Sequence, residues 1–218
     1  MNCLNCPFNA YQVSGMLLDD KVAYFESFLR STGRKGIEDV INFLRKSDFY
    51  VAPASSKYHS NYRSGLLDHS LIVLCLMSDF CKVAVQQNPE LAPKIEDSSI
   101  ILTSLLHDIC KTGLYTEAIK YTKDSSTGNW ISYVGYEIND GFPIGHGEKS
   151  VIMLQDIGLE MRMDEMLAIR FHMGYWGDPG GDTTYSQRSA TDMTPLVTLL
   201  QSADFSASTI MEKTIKIK

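Results

Sequence analysis

Only five histidines occur in 218 residues: His59, His69, His107, His146 and His172. The stretch SLLHDICK at 104–111 sets His107 beside Asp108 at the end of an apolar run. Burying ionisable groups costs several kcal/mol unless something pairs with or coordinates them. Lys111 follows His107 by four positions and Asp108 by three, and so shares their helical face. His69 lies three residues after Leu66 and four before Val73, on or beside an apolar stripe. Asp204 follows PLVTLLQSA, an apolar segment in which a carboxylate needs a partner. Mixed His and Asp ligation suits a divalent ion such as Mn, Fe, Co, Ni or Zn, whereas sites of carboxylates and carbonyls lean to Ca or Mg.

Each residue alone has a plainer explanation. A single histidine on an apolar face is more often a hydrogen-bonded core residue than a ligand. Asp204 could pair with an arginine such as Arg170. Lys111 fits a helix C-terminal charge favoured by the dipole. Neighbouring helical residues such as His107 and Asp108 diverge by about 100°, although flexible side chains can converge on an ion between them. The set is harder to dismiss than its members, because every histidine except His59 abuts an apolar helix or a Gly-rich turn.

The elements that must position these residues are mostly helical. VAYFESFLR and GIEDVINFLRKSDF show apolar residues at helical spacing. A polar loop leads into LLDHSLIVLCLMSDFCKVAVQQ, apolar on most sides, which predicts a central buried helix. SIILTSLLHDICK predicts a helix closed by Gly113. The segments LYTEAIKYTK and NWISYVGYEIND, around DSSTG, predict a β-hairpin. GEKSVIMLQDIG and MDEMLAIRFHMG return to helical spacing. Residues 174–193 predict a long Gly-rich loop, and Pro195 opens a last helix. The expectation is an all-α fold with a small hairpin insertion around 114–139. It forms one domain over 1–218, with N-terminal helices at 20–48 and a metal-binding core at 58–208.

Composition narrows the function classes. The chain is 44% apolar with net charge −6. A general nucleic-acid coat needs clustered Lys and Arg, so it is disfavoured, while a pocket for one phosphate is compatible. No run approaches the roughly 18 apolar residues of a membrane span. The N-terminus does not read as a signal peptide, and five cysteines without framework spacing fit a reducing compartment. The cytoplasm is the expected location.

In order, GLLDHS (65–70), LLHDICK (105–111) and SADFSAS (202–208) resemble the H…HD…D signature of the HD-domain metal-dependent phosphohydrolases, over residues 58–208. The resemblance implies a helical bundle around a divalent ion (Mn, Fe, Co, Ni, Zn or Mg), held by His69, His107, Asp108 and Asp204. IGHGEKS and AIRFHMG look like the segments that add two histidines in some members, including the HD domain attached to a bacterial 3′-to-5′ exoribonuclease. By that likeness His146 and His172 bind a second metal or the substrate phosphate. Cys110 replaces the glycine of the common H-D-I-G-K form, which puts no ligand in doubt. FHMGYWGDP has neither the His pair nor the Gly-Tyr-Pro element of the subclass acting on cyclic dinucleotides, which is set aside.

The expected function is hydrolysis of a nucleotide or other phosphoester by metal-activated water. The expected catalytic residues are Asp108, Lys111, His146 and His172, with Lys111, Arg63, Tyr62 and Tyr175 toward substrate. Tyr58 and Trp176 also flank the presumed ligands and could stack a base. Asp68 and Glu148 are candidate outer partners of imidazoles. The partner is a small phosphorylated substrate, an oligonucleotide end included, with no membrane. The alternative is a non-catalytic HD-type protein that binds nucleotide or metal as a regulator. GFPIGHGEKS resembles a phosphate-binding P-loop, but Glu148 stands where glycine must precede Lys149. Cys3 and Cys6 make only half a zinc site.

Overall fold

The computed structural model describes residues 5–174 and 181–212, with backbone alone at 181–183. Tyr175, Trp176 and Cys3 lie outside the described residues. In chain order the elements are α1 (Ala10–Val13), α2 (Leu18–Ser31), α3 (Ile37–Lys46), α4 (Gly65–Gln87), α5 (Asp97–Leu106), β1 (Tyr115–Lys123), β2 (Trp130–Ile138), α6 (His146–Ile157), α7 (Met163–Phe171), α8 (Gly181–Met193) and α9 (Pro195–Ser206). Short 3-10 turns span Pro89–Lys94 and Ile109–Lys111, and a π turn spans Ala207–Met211. The protein is thus mostly helical, with one two-stranded antiparallel sheet. Among the described residues, no helix is long and apolar enough to cross a membrane.

Helix α4 is the axis of the fold. Its first half, including Leu66, Leu67, Leu71, Val73 and Leu74, is buried all round. Such side chains contribute ~1.5–3 kcal/mol each when fully buried, so this helix anchors the core. It packs against α5 and α9, while α7 lies against α9 and α6 against α7. Helices α2 and α3 close one side through Phe25, which meets Phe49 and Tyr50 ring to ring. Glycine is required at the entry to α4, because a Cβ on Gly65 would lie 2.0 Å from the Ser60 carbonyl oxygen. That close approach sets where His69 emerges one turn later.

Two expectations change. The helix expected through Lys111 ends at Leu106. Asp108 then adopts φ −105°, ψ 18° before the 3-10 turn at Ile109–Lys111, and the Cys110 N–H donates to Ser150 Oγ of α6 at 3.3 Å. Residues 181–193, expected as loop, form helix α8. Its sequence carries little apolar periodicity, and Gln187 and Ala190 are its buried positions among the described side chains. Packing on α9, rather than an apolar stripe, supports it. The hairpin expected around 114–139 is present, in register from Tyr115 opposite Ile138 to Lys123 opposite Trp130.

Candidate metal centre

Five elements bring the ionisable residues together. His69 comes from the first turns of α4, and His107 and Asp108 follow directly on the end of α5. His146 opens α6, His172 ends α7, and Asp204 sits in the last turn of α9. The α6 N-terminus reaches α7 because position 147 is glycine: a Cβ there would lie 2.2 Å from the Arg170 carbonyl oxygen. His146 and His172 therefore stand with ring centroids 5.6 Å apart. Adjacent rings run in a row, with His59–His69 at 5.2 Å, His69–His107 at 5.1 Å and His107–His172 at 4.8 Å.

The break after Leu106 removes the 100° divergence expected of helical neighbours. His107 Nε2 lies 3.4 Å from Asp108 Oδ2, and His69 Nε2 lies 3.3 Å from the same oxygen. Asp204 Oδ1 is 3.2 Å from His69 Nε2 and 3.9 Å from His107 Nε2. The other oxygen of Asp108 turns the opposite way. Oδ1 lies 2.7 Å from His146 Nε2 and 3.6 Å from His172 Nε2. One carboxylate is thus shared by two trios of donor groups, His69–His107–Asp108 and Asp108–His146–His172.

The tautomers follow from the partners. A carbonyl or carboxylate oxygen can only accept, so the ring nitrogen facing it donates. His107 Nδ1 donates to the Ser104 carbonyl at 2.9 Å, and His172 Nδ1 donates to the Ile169 carbonyl at 2.7 Å. His69 Nδ1 donates to Glu212 Oε1 at 2.6 Å. The Nε2 atoms of His69, His107 and His172 therefore all face inward, toward each other and toward carboxylate oxygens. Nε2 of His172, buried, has no hydrogen-bond partner among the described residues. Such a convergence of acceptors is stable only with a cation or extra protons among them. These His/Asp groups could hold a metal ion: the donor atoms within each trio lie within 4.8 Å of one another.

Without an ion, protons fill the role. Burial opposes an imidazolium at His69, but Glu212, Asp108 and Asp204 overcome it and hold the ring well above its ordinary pKa. Burial likewise opposes charge on His146, yet its bond to Asp108 raises it to about 9. Burial would push Asp108 up, but Lys111, His107 and His146 hold it well below the usual carboxylate range. Asp204 is held low against burial by His69 and His107. Burial opposes the charge on Lys111, but Asp108 Oδ2 at 2.6 Å from its Nζ prevails and raises its pKa.

The centre opens onto a cavity of about 640 Å³, lined by Asp108, Lys111, His146, His172 and Asp204 and walled by Tyr115, Met173 and Phe205. Arg63 and Tyr62 are not brought to its wall. Arg63 is exposed, where Tyr136 of β2 senses its charge, and the Tyr62 hydroxyl donates to Asp68 Oδ2 at 3.1 Å. Asp68 pairs with Lys21 at 2.6 Å and Glu148 with Arg170, so neither orients an imidazole. That pairing also removes Arg170 as a partner for Asp204. Tyr58 lies exposed. The P-loop likeness fails structurally too: antiparallel strands precede it, and Lys149 pairs with Asp140 at 2.5 Å.

Two residues join the site that the sequence did not single out. Glu212 lies past the π turn, its Oε1 on His69 and its Oε2 accepting from Ser60 Oγ at 2.6 Å. Nothing local marks it, because its partner is 143 residues away. His59, set apart as the one histidine in a polar loop, stacks on His69 and lines the cavity, its buried Nε2 without a partner among the described residues. Only its residue type pointed to it.

No protein-family model, curated protein or solved structure matches this chain.

Proposed function

We propose that this protein is an HD-type metal-dependent phosphohydrolase that cleaves a nucleotide or another phosphoester. The observation that carries the reading is the inward convergence of three imidazole Nε2 atoms with the oxygens of Asp108 and Asp204. His69, His107, Asp108 and Asp204 would hold the first ion. The second oxygen of Asp108, with His146 and His172, offers a place for another. The ion is Mn, Fe, Co, Ni, Zn or Mg, and when bound it supplies a water of lowered pKa and neutralises charge on the phosphate.

The residues of the chain do the rest. Glu212 and two backbone carbonyls fix which ring nitrogens face inward, which pre-sets the donor set. Lys111 carries positive charge on the cavity wall, where a phosphate oxygen would sit. Asp108 orients the attacking water or accepts its proton. His146 sits at the wall against Asp108, placed to hand a proton to the leaving oxygen where only one ion is present. Tyr115 and Phe205 give the organic part of the substrate an apolar wall.

A second reading, a regulator that binds nucleotide or metal without turnover, is favoured by one observation. Lys111 Nζ already sits on Asp108 Oδ2, where it supplies a positive charge of its own. Elemental analysis of the purified protein, followed by metal-dependent assays on phosphomonoesters and phosphodiesters, separates the two. Bound metal with turnover that disappears in Asp108→Ala supports the hydrolase. Undiminished metal-dependent turnover in that variant overturns it, and stoichiometric nucleotide binding without turnover selects the regulator.

A further inference from the structure

Beyond its base, where Tyr115 and Tyr136 are half-buried, the hairpin carries an apolar face that no other element covers among the described residues, with Lys123 Nζ 5.5 Å from the Trp130 ring. Directly opposed residues share a face in an antiparallel pair. Ile119 with its partner Val134, together with Tyr121, Trp130 and Ile138, therefore fall on one side, and all five are 62–68% exposed. On the opposite side Lys120 and Tyr133 lie over Gly135, and Lys120 Nζ donates to the Tyr136 carbonyl at 2.6 Å. The hairpin is tied to the body at its base, where the Tyr115 hydroxyl meets the Ala54 carbonyl at 3.4 Å and the Asn139 N–H donates to the Leu114 carbonyl at 2.9 Å. A two-stranded hairpin is marginal by itself in water. Contiguous apolar surface of this kind marks an interaction site.

We propose that this face is the interface of a two-fold dimer, in which the hairpin stacks on that of a second copy. The first reason is charge. Glu117 and Lys123 are the charged residues of the face. Place a two-fold axis at the level of the Lys120–Tyr133 pair, crossing the strands. Glu117 then meets the partner's Lys123, Ile119 meets the partner's Tyr121, and Trp130 meets the partner's Tyr136. An isologous interface demands this self-complementarity. The second reason is area. Large aromatic side chains bury ~150–250 Å² each in full, and the open two-thirds of Tyr121 and Trp130, with three aliphatic neighbours of similar exposure, bring two copies toward the ~1,200 Å² of a small specific interface. A net charge of −6 argues against nucleic acid as the occupant. The dimer does not depend on the chemistry proposed for the metal centre.

Sedimentation velocity on the full chain across the micromolar range tests this directly, and a mass of two chains is expected. Ile119→Lys combined with Val134→Lys gives one chain, with the helical circular dichroism unchanged. Glu117→Lys also dissociates the dimer by setting lysine against lysine, and adding Lys123→Glu to the same chain restores it. A single-chain mass for the unaltered protein overturns the proposal, as does a dimer that survives the double lysine change. A monomer also overturns it, and where a single-stranded oligonucleotide quenches the fluorescence of Trp130 in a Trp176→Phe chain the face is assigned to nucleic acid. Should the double-lysine chain fail to fold, the charge-reversal pair decides alone: a dimer that withstands Glu117→Lys, or one that Lys123→Glu does not restore, overturns the proposal.

Discussion

Two clusters of buried charge in this chain are built from similar groups and reach opposite balances. Around Glu165 on α7, Arg34 clamps both carboxylate oxygens at 2.7 and 2.8 Å, Ser99 Oγ donates at 2.7 Å and the Arg162 N–H at 2.8 Å. Every donor there faces an acceptor, and the cluster ties the α2–α3 turn to α5 and α7. At the His/Asp centre, acceptors face acceptors: inward Nε2 atoms look at each other and at Asp108 and Asp204. The first cluster is complete as it stands. The second is complete only with something added, so burial by itself does not distinguish a strut from a site. The balance of donors and acceptors does.

The sharpest way to break the comparison is at Asp108. Asp108→Ala should abolish metal-dependent hydrolysis, a loss well beyond the ~10–100-fold attributable to outer partners of a metal ligand. It should also erase the rise in melting midpoint on adding metal, which for the unaltered protein corresponds to ~2.7 kcal/mol at a hundredfold excess over Kd. A midpoint that still rises equally in the variant would remove the centre from this carboxylate.

Arg34→Ala should do the reverse. It leaves Glu165 fully buried without its cation, a loss of ~3–5 kcal/mol for a broken buried pair. Urea unfolding reads this, while metal stoichiometry per folded chain should not change. A loss under 1 kcal/mol would mean that Ser99 and the Arg162 N–H suffice by themselves.

Glu212 connects the two kinds of cluster, since it acts on the centre only through His69. Glu212→Ala should weaken metal affinity ~10–100-fold, and Glu212→Gln, which keeps an acceptor for His69 Nδ1, should lose less. Equal affinities in calorimetric titrations of all three proteins would refute the role.

The smallest effect belongs to Glu26, paired with Arg45 at 2.5 Å and Arg30 at 3.2 Å. Burial pushes its carboxyl up, but hydrogen bonds from Arg45 and Arg30 prevail and hold it below the usual value. A carboxyl lowered in the folded state contributes stability above its unfolded pKa and loses it as pH falls through the folded one. Urea midpoints of the unaltered protein should therefore decline in acid more than those of Glu26→Gln. The difference is small because both guanidiniums are about half open to water. Parallel acid limbs would show that the pair contributes nothing.

Local pattern determined a good deal here. Apolar spacing marked α2, α3, α4, α6, α7 and α9, because burial of one face repeats every turn. Alternation marked the hairpin, because side chains of a strand point to opposite faces. Residue type and order singled out His69, His107, Asp108 and Asp204, since few side chains suit a divalent ion. Helix α8 was not legible, because its stability comes from packing on α9 rather than from an apolar stripe. The end of α5 at Leu106 was not legible either, and that break is what turns Asp108 toward His107. Glu212 and His59 were beyond reach for the same reason. Their roles rest on contacts between distant segments, and only the folded chain decides which oxygen meets which nitrogen.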